Sequence, residues 1–155
     1  DSLDPELPDF LGREARRCLN CDSACLRCVE VCPNRANFGL PVGAAGPFAQ
    51  AIQILHVDAL CNECGNCGLF CPYEGEPFRG KMSLFDGSKS MEESHNAGFL
   101  FADGERPILA MRAKPNGDIE ELGFADWSAE GSGGSTAALA RIVFRDHRYL
   151  LGGTR

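Results

Sequence analysis

Eight of the nine cysteines in this chain stand in two short runs, and each run closes on Cys-Pro. The second run reads Cys61-Asn-Glu-Cys64-Gly-Asn-Cys67-Gly-Leu-Phe-Cys71-Pro72, a C-x2-C-x2-C-x3-C-P spacing. The first, through Cys21, Cys25, Cys28, Cys32 and Pro33, repeats it with one extra residue in the first gap. Three thiolates so close in sequence wrap one corner of an iron–sulfur cube, because each must point inward from a loop folded around it. The fourth cysteine of each run lies too far along to join the same cube.

In two-cluster ferredoxins, whose pattern the second run matches, that fourth cysteine ligates the other cluster. The resemblance implies a crossed arrangement. Cys21, Cys25, Cys28 and Cys71 would hold cluster I, and Cys61, Cys64, Cys67 and Cys32 would hold cluster II. Cys18 complicates the first set, since Cys18-Leu-Asn-Cys21 is itself a C-x2-C pair. Cys18, Cys21, Cys28 and Cys71 form the alternative, with Cys25 spare. The Cys21, Cys25, Cys28 set is preferred because its shorter loops need less rearrangement.

Zinc and disulfides are the competing readings. Structural zinc sites use pairs of C-x2-C across a longer spacer and need no third cysteine two residues on. Cysteines at that spacing are poorly placed to bridge one another, and an odd total leaves one thiol unpaired. Free thiolates in quantity point to a reducing compartment, hence the cytoplasm.

The chain's 155 residues, 44% of them hydrophobic, allow one ordinary domain or two small ones with a packed core. No stretch approaches the roughly 18–20 apolar residues that span a bilayer, so no membrane partner is expected. The opening Asp1-Ser-Leu-Asp-Pro-Glu is acidic and carries neither a signal peptide nor an initiator Met, as expected of a processed chain or an excised piece. A formal charge of −7 argues against nucleic acid, which needs a basic face. It suits docking to a basic patch on a redox partner, and it suits simple solubility equally.

Three segments follow from the composition. Residues 1–17 read as a lead-in, 18–80 as the two-cluster domain, and 81–155 as a small appendage, giving an α+β fold overall. Within 18–80, the Gly- and Pro-rich stretch 38–47 reads as a loop and 50–57 as a strand that delivers Cys61. Gly65 and Gly68 would let backbone amides approach cluster sulfurs. Leu69, Phe70 and Tyr73 read either as a shield for the cube or as plain core.

In the appendage, strands are expected over 82–85, 98–102 and 108–113. The last would turn at Asn116-Gly117 into a partner at 118–122. A helix is expected over 137–150, capped by Ser135 or Thr136, with Leu139, Ile142, Val143, Tyr149 and Leu150 near one face, ending at Gly152-Gly153. Alone, about 70 residues would be marginal, so this part should pack on the cluster domain or a neighbour.

His56, His95 and His147 are scattered singly and read as structural or surface residues. Trp127 reads as a packing anchor, and Asp118, Glu120 and Glu121 as a solvated or partner-facing acidic run. The chain carries no Ser-His-Asp arrangement, no phosphate-binding Gly-x-x-x-x-Gly-Lys and no Gly-x-Gly-x-x-Gly. It therefore offers no recognisable substrate, flavin or nicotinamide site, and its chemistry reads as electron movement.

The lead-in Arg13-Glu-Ala-Arg-Arg-Cys-Leu-Asn-Cys21 is similar to the iron–sulfur segment of the glutamate synthase small subunit and dihydropyrimidine dehydrogenase group. Three strings resemble more closely the family called "putative selenate reductase, iron–sulfur subunit". They are Cys28-Val-Glu-Val-Cys-Pro-Asn-Arg-Ala-Asn37, His56-Val-Asp-Ala-Leu-Cys-Asn-Glu-Cys-Gly-Asn-Cys67 and Phe70-Cys-Pro-Tyr73. The likeness covers residues 13–85 well and is weaker over the tail, where Ser94-His-Asn-Ala-Gly-Phe-Leu and Tyr149-Leu-Leu fit it. It implies that the chain is the C-terminal electron-transfer part of a larger oxidoreductase, whose FAD and NAD(P)H sites lie outside it. The substrate in the family's name is not carried over. A free-standing ferredoxin and a structural zinc module are the alternatives.

Overall fold

The computed structural model describes residues 25–43, 47–48, 50–102 and 104–151. The lead-in 1–17, Cys18, Cys21 and the Gly152-Gly153 helix end lie outside these residues. The architecture is α+β, built on one six-stranded sheet whose spatial order follows the chain from β1 to β6. The strands are β1 (Asn37–Pro41), β2 (Ile52–Val57), β3 (Met82–Leu84), β4 (Gly98–Phe101), β5 (Leu109–Arg112) and β6 (Glu120–Leu122). β1 pairs antiparallel with β2, β2–β3 and β3–β4 are parallel, and β4–β5 and β5–β6 are antiparallel. The β2–β3 pairing carries the sheet across residue 80, so four of the six strands come from the expected appendage.

Alternation along β2 divides the molecule into layers. Leu55 and Val57 face a core formed with Leu84, Phe99, Leu109, Met111 and Trp127. Ile54 faces the other way, against Cys28, Cys67 and Phe78. A strand's side chains alternate between faces, so one strand can serve both the apolar core and the cysteine-bearing layer.

The core face is covered by α6 (Gly134–Asp146), which buries Ala137, Leu139, Ala140 and Val143. The short helix α5 (Phe124–Ser128) adds Trp127, 1% exposed, whose indole N–H donates to the carbonyl of Pro107 at 2.9 Å. Phe101, Phe124 and Phe144 ring the indole with centroids 5.3–5.4 Å away. The other face carries the cysteine loops with α1 (Arg27–Glu30), α2 (Asn66–Leu69) and α3 (Pro77–Gly80). Over β4, α4 (Ser88–Glu93) buries Met91 against Phe85 and Leu100.

Several expectations need correction. Residues 37–41 form β1 rather than a loop. The strand lies at the sheet edge, where a Pro and a Gly cost least because one side of the backbone has no partner to lose. The helix starts at Gly134, and its N-cap is Gly133 at φ 68°, with no side-chain cap from Ser135 or Thr136. A Cβ at Gly133 would stand 2.5 Å from that of Ala137, so the chain enters the helix by a turn that excludes any side chain. The helix ends at Asp146 and gives way to a 3-10 turn at Arg148–Leu151, which carries Tyr149 outward at 67% exposure.

The β5–β6 hairpin forms, but over a longer tip than Asn-Gly alone would make. The Gly117 N–H donates to Lys114 at 3.0 Å, with Asn116 left-handed at φ 57°. Buried Arg112 holds this tip. Its Nε donates to the Gly117 carbonyl, and its Nη1 donates to the carbonyls of Ser94 and Asn96.

Candidate metal centre

From Cys25 and from Cys64 onward, the two cysteine runs fold as copies of one local structure. In the first, α1 carries Cys28 inward at 6% exposure, and the N–H groups of Val29 and Glu30 both bond the Leu26 carbonyl. In the second, α2 carries Cys67 at 7%, and Gly68 and Leu69 bond the Gly65 carbonyl in the same way. Each helix ends within a few residues at Cys-Pro, because proline fixes φ and supplies no N–H. A tight turn follows. The Arg35 N–H donates to the Cys32 carbonyl at 3.2 Å, and that of Glu74 to the Cys71 carbonyl at 3.2 Å. α1 and α2 pack together, so that Cys28 and Cys67 share one apolar cluster with Ile54 and Phe78.

This packing sorts the thiols across the runs. A cavity of about 270 Å³ is lined by Cys25 and Cys28 from the first run and Cys71 from the second, with Tyr73 and Pro77. A much narrower one, about 10 Å³, is lined by Cys32 from the first run and Cys61, Cys64 and Cys67 from the second. Seven of the eight expected ligands therefore fall into two groups. Cys21 and the alternate ligand Cys18 lie outside the described residues.

The electrostatics carry the same grouping. Burial pushes the Cys61 thiol up; the Glu63 N–H, 3.3 Å from its sulfur, opposes this, while the Cys67 and Cys32 thiols and the Glu63 carboxylate add to the rise. The Ala36 N–H donates to the Cys32 sulfur at 3.2 Å. Backbone donors aimed at sulfur favour the thiolate. Gly65 makes the second loop possible: it opens α2 from φ 79°, two residues after Glu63 at φ 52°.

The donor set fits an iron–sulfur cube. Cys25, Cys32, Cys61, Cys64, Cys67 and Cys71 are free thiols. A cube takes four cysteine sulfurs, and metal binding releases their protons. Among the described residues, no three His, Cys, Asp or Glu side chains converge tightly enough to hold a single ion.

His56 is 2% exposed and lines the narrower cavity beside Asn37. The Asn37 Nδ2 donates to the Cys28 carbonyl at 3.0 Å, which leaves Oδ1 to accept from the His56 Nδ1–H at 2.9 Å. Burial lowers the His56 pKa to about 4, so the ring is neutral near pH 7. Reading 38–47 as a loop hid this pair. Only with 37–41 as a strand does Asn37 fall opposite His56.

The residues offered as shield or core divide. Leu69 and Phe70 stand out at 78% and 53% exposure, while Tyr73 lines the larger cavity. Asp118, Glu120 and Glu121 are exposed. No described helix is long and apolar enough to cross a membrane.

Over 150 residues the chain is 47% identical to the putative oxidoreductase YgfK of Escherichia coli O157:H7, covering 92% of this chain and 14% of that protein. To the protein of the same name from Escherichia coli strain K12 it is 47% identical over 94 residues, 61% of this chain and 9% of that protein. The chain thus spans only a small part of the relatives it matches. No family model and no solved structure matches it.

Proposed function

We propose that this chain is an electron-transfer module of a larger oxidoreductase, holding two [4Fe–4S] clusters. The observation that carries the reading is the sorting of thiols across the runs into two cavities. Cys25, Cys28 and Cys71, with Cys21, would ligate one cluster, and Cys32, Cys61, Cys64 and Cys67 the other. When bound, such clusters accept and donate single electrons.

The chain's own residues do the rest. Two crossed cysteines tie the halves together, so neither site can form without backbone from both runs. Amides at Ala36 and Glu63 place N–H donors on ligand sulfurs, which stabilises added negative charge and raises the potential. Phe78, Ile54 and the sheet keep water from one side of the ligand layer.

The oxidoreductase name borne by both relatives supports a redox role, and their much greater length favours a domain of a parent protein over a free-standing carrier. Flavin and NAD(P)H sites would then belong to the parent, which would deliver or collect the electrons. Free thiols in this number suit a reducing compartment such as the cytoplasm.

Iron, zinc and acid-labile sulfide analysis of anaerobically purified protein tests the reading, alongside its visible spectrum. The expected result is about eight irons and eight sulfides per chain, with a brown absorbance that dithionite bleaches. Zinc without sulfide or colour would replace it with a structural module.

A further inference from the structure

We propose that Asn37 and His56 are positioning residues that hold the two thiol sites in fixed relation for electron exchange between them. The inference rests on the two-cluster reading above. Asn37 is the first residue of β1 and follows the first cysteine run by a few residues. It is 3% exposed, and its amide is used at both ends. Nδ2 holds the carbonyl of Cys28, whose thiol lines the larger cavity. Oδ1 holds His56, which with Asn37 lines the narrower cavity of Cys32, Cys61, Cys64 and Cys67. One buried amide therefore touches the backbone of a ligand in one site and the wall of the other.

The two residues are also directly opposed in the β1–β2 register, so the link is anchored on ladder hydrogen bonds rather than on a loop. Ile54 and Phe78 make the surrounding layer apolar, and an amide and an imidazole are costly there unless fully paired. An aliphatic pair would pack this layer without that cost. What it could not do is fix the Cys28 backbone and orient a dipole at the second site. Dipoles and hydrogen bonds around a metal centre set its potential.

The test uses the full chain, anaerobically purified, as wild type, Asn37→Ala and His56→Phe. Iron and sulfide are counted first. Each protein is then titrated with dithionite and followed by electron paramagnetic resonance, where two reduced clusters split each other's signal according to separation and orientation.

The expected result is unchanged iron and sulfide in both variants. Asn37→Ala alters the splitting and moves both midpoint potentials, while His56→Phe moves only that of the Cys61, Cys64, Cys67 site. A purely structural pair would lower the melting temperature and leave midpoints and splitting where they were, and that outcome overturns the proposal. If Asn37→Ala fails to fold, His56→Phe decides alone, an unmoved midpoint counting against it. A wild-type chain without iron overturns the two-cluster reading and this inference with it; iron in the wild type with unmoved midpoints overturns only the inference.

Discussion

Arg35 and Glu74 occupy the same place in two copies of one turn. Each follows its Cys-Pro by two residues, each stands at φ 55°, and each donates its N–H at 3.2 Å to the carbonyl of the last cysteine of its run. The internal repeat visible in the cysteine spacing is thus also a repeat of backbone conformation. It carries the chain away from each site in the same way, first into β1 and then into α3.

This left-handed turn tolerates a flexible side chain at a cost and a β-branched one hardly at all. Arg35→Val and Glu74→Val should each lower unfolding stability by about 1–2 kcal/mol, whereas the Gly variants should stay within about 0.5 kcal/mol of wild type. Thermal unfolding of the four variants checks this. Equal effects of Val and Gly would argue against a turn under backbone constraint.

Trp127 anchors the opposite face of the sheet from the cysteines. Trp127→Ala should cost about 3–5 kcal/mol, since the indole is 1% exposed and ringed by three phenylalanines. Trp127→Phe should cost less, and part of its effect is the Pro107 carbonyl left without its 2.9 Å donor. Denaturant titration measures both.

Protonation of His56 should oppose folding. The unfolded ring binds a proton below about pH 6.5, while the native ring does so only near 4. Between these values the unfolded state holds more protons, so stability falls as pH drops, by up to about 3 kcal/mol at the acid end. His56→Gln should flatten the pH dependence of stability between 6.5 and 4, and proton NMR should place the native ring's titration near 4. A midpoint near 6.5 would contradict the buried, neutral ring.

Cys25 lines the larger cavity with Cys28 and Cys71, whereas Cys18 lies outside the described residues. Cys25→Ser should halve the iron content, from about eight to about four, while Cys18→Ser leaves it unchanged. Cys64→Ala should likewise remove or convert only the site it shares with Cys32, Cys61 and Cys67. The reverse pattern for Cys18 and Cys25 would establish the alternative ligand set.

The strands were legible where the sequence alternated or ran apolar between turn residues, as at β2, β4 and β5. β1 was hidden by Gly39 and Pro41, residues that an edge strand accepts but that read locally as a loop. The start of α6 was misplaced because a left-handed Gly133, packed close on Ala137, does what Ser135 or Thr136 would do in a side-chain cap. The proposed ligand chemistry rests on the most local information in the chain, four cysteines at fixed spacing. The Asn37–His56 pair is the opposite case. Its partners lie 19 residues apart, and only strand pairing brings them together.

Crossing of the ligands is the centre of the account, and counting iron in two double variants tests it most directly. Cys28→Ala with Cys71→Ala removes two thiols lining the same cavity, so the other site should survive with about four irons and four sulfides. Cys28→Ala with Cys32→Ala takes one thiol from each cavity, and iron at both sites should be lost. An uncrossed protein, each run filling its own site, would give the reverse: four irons retained in the second variant and none in the first.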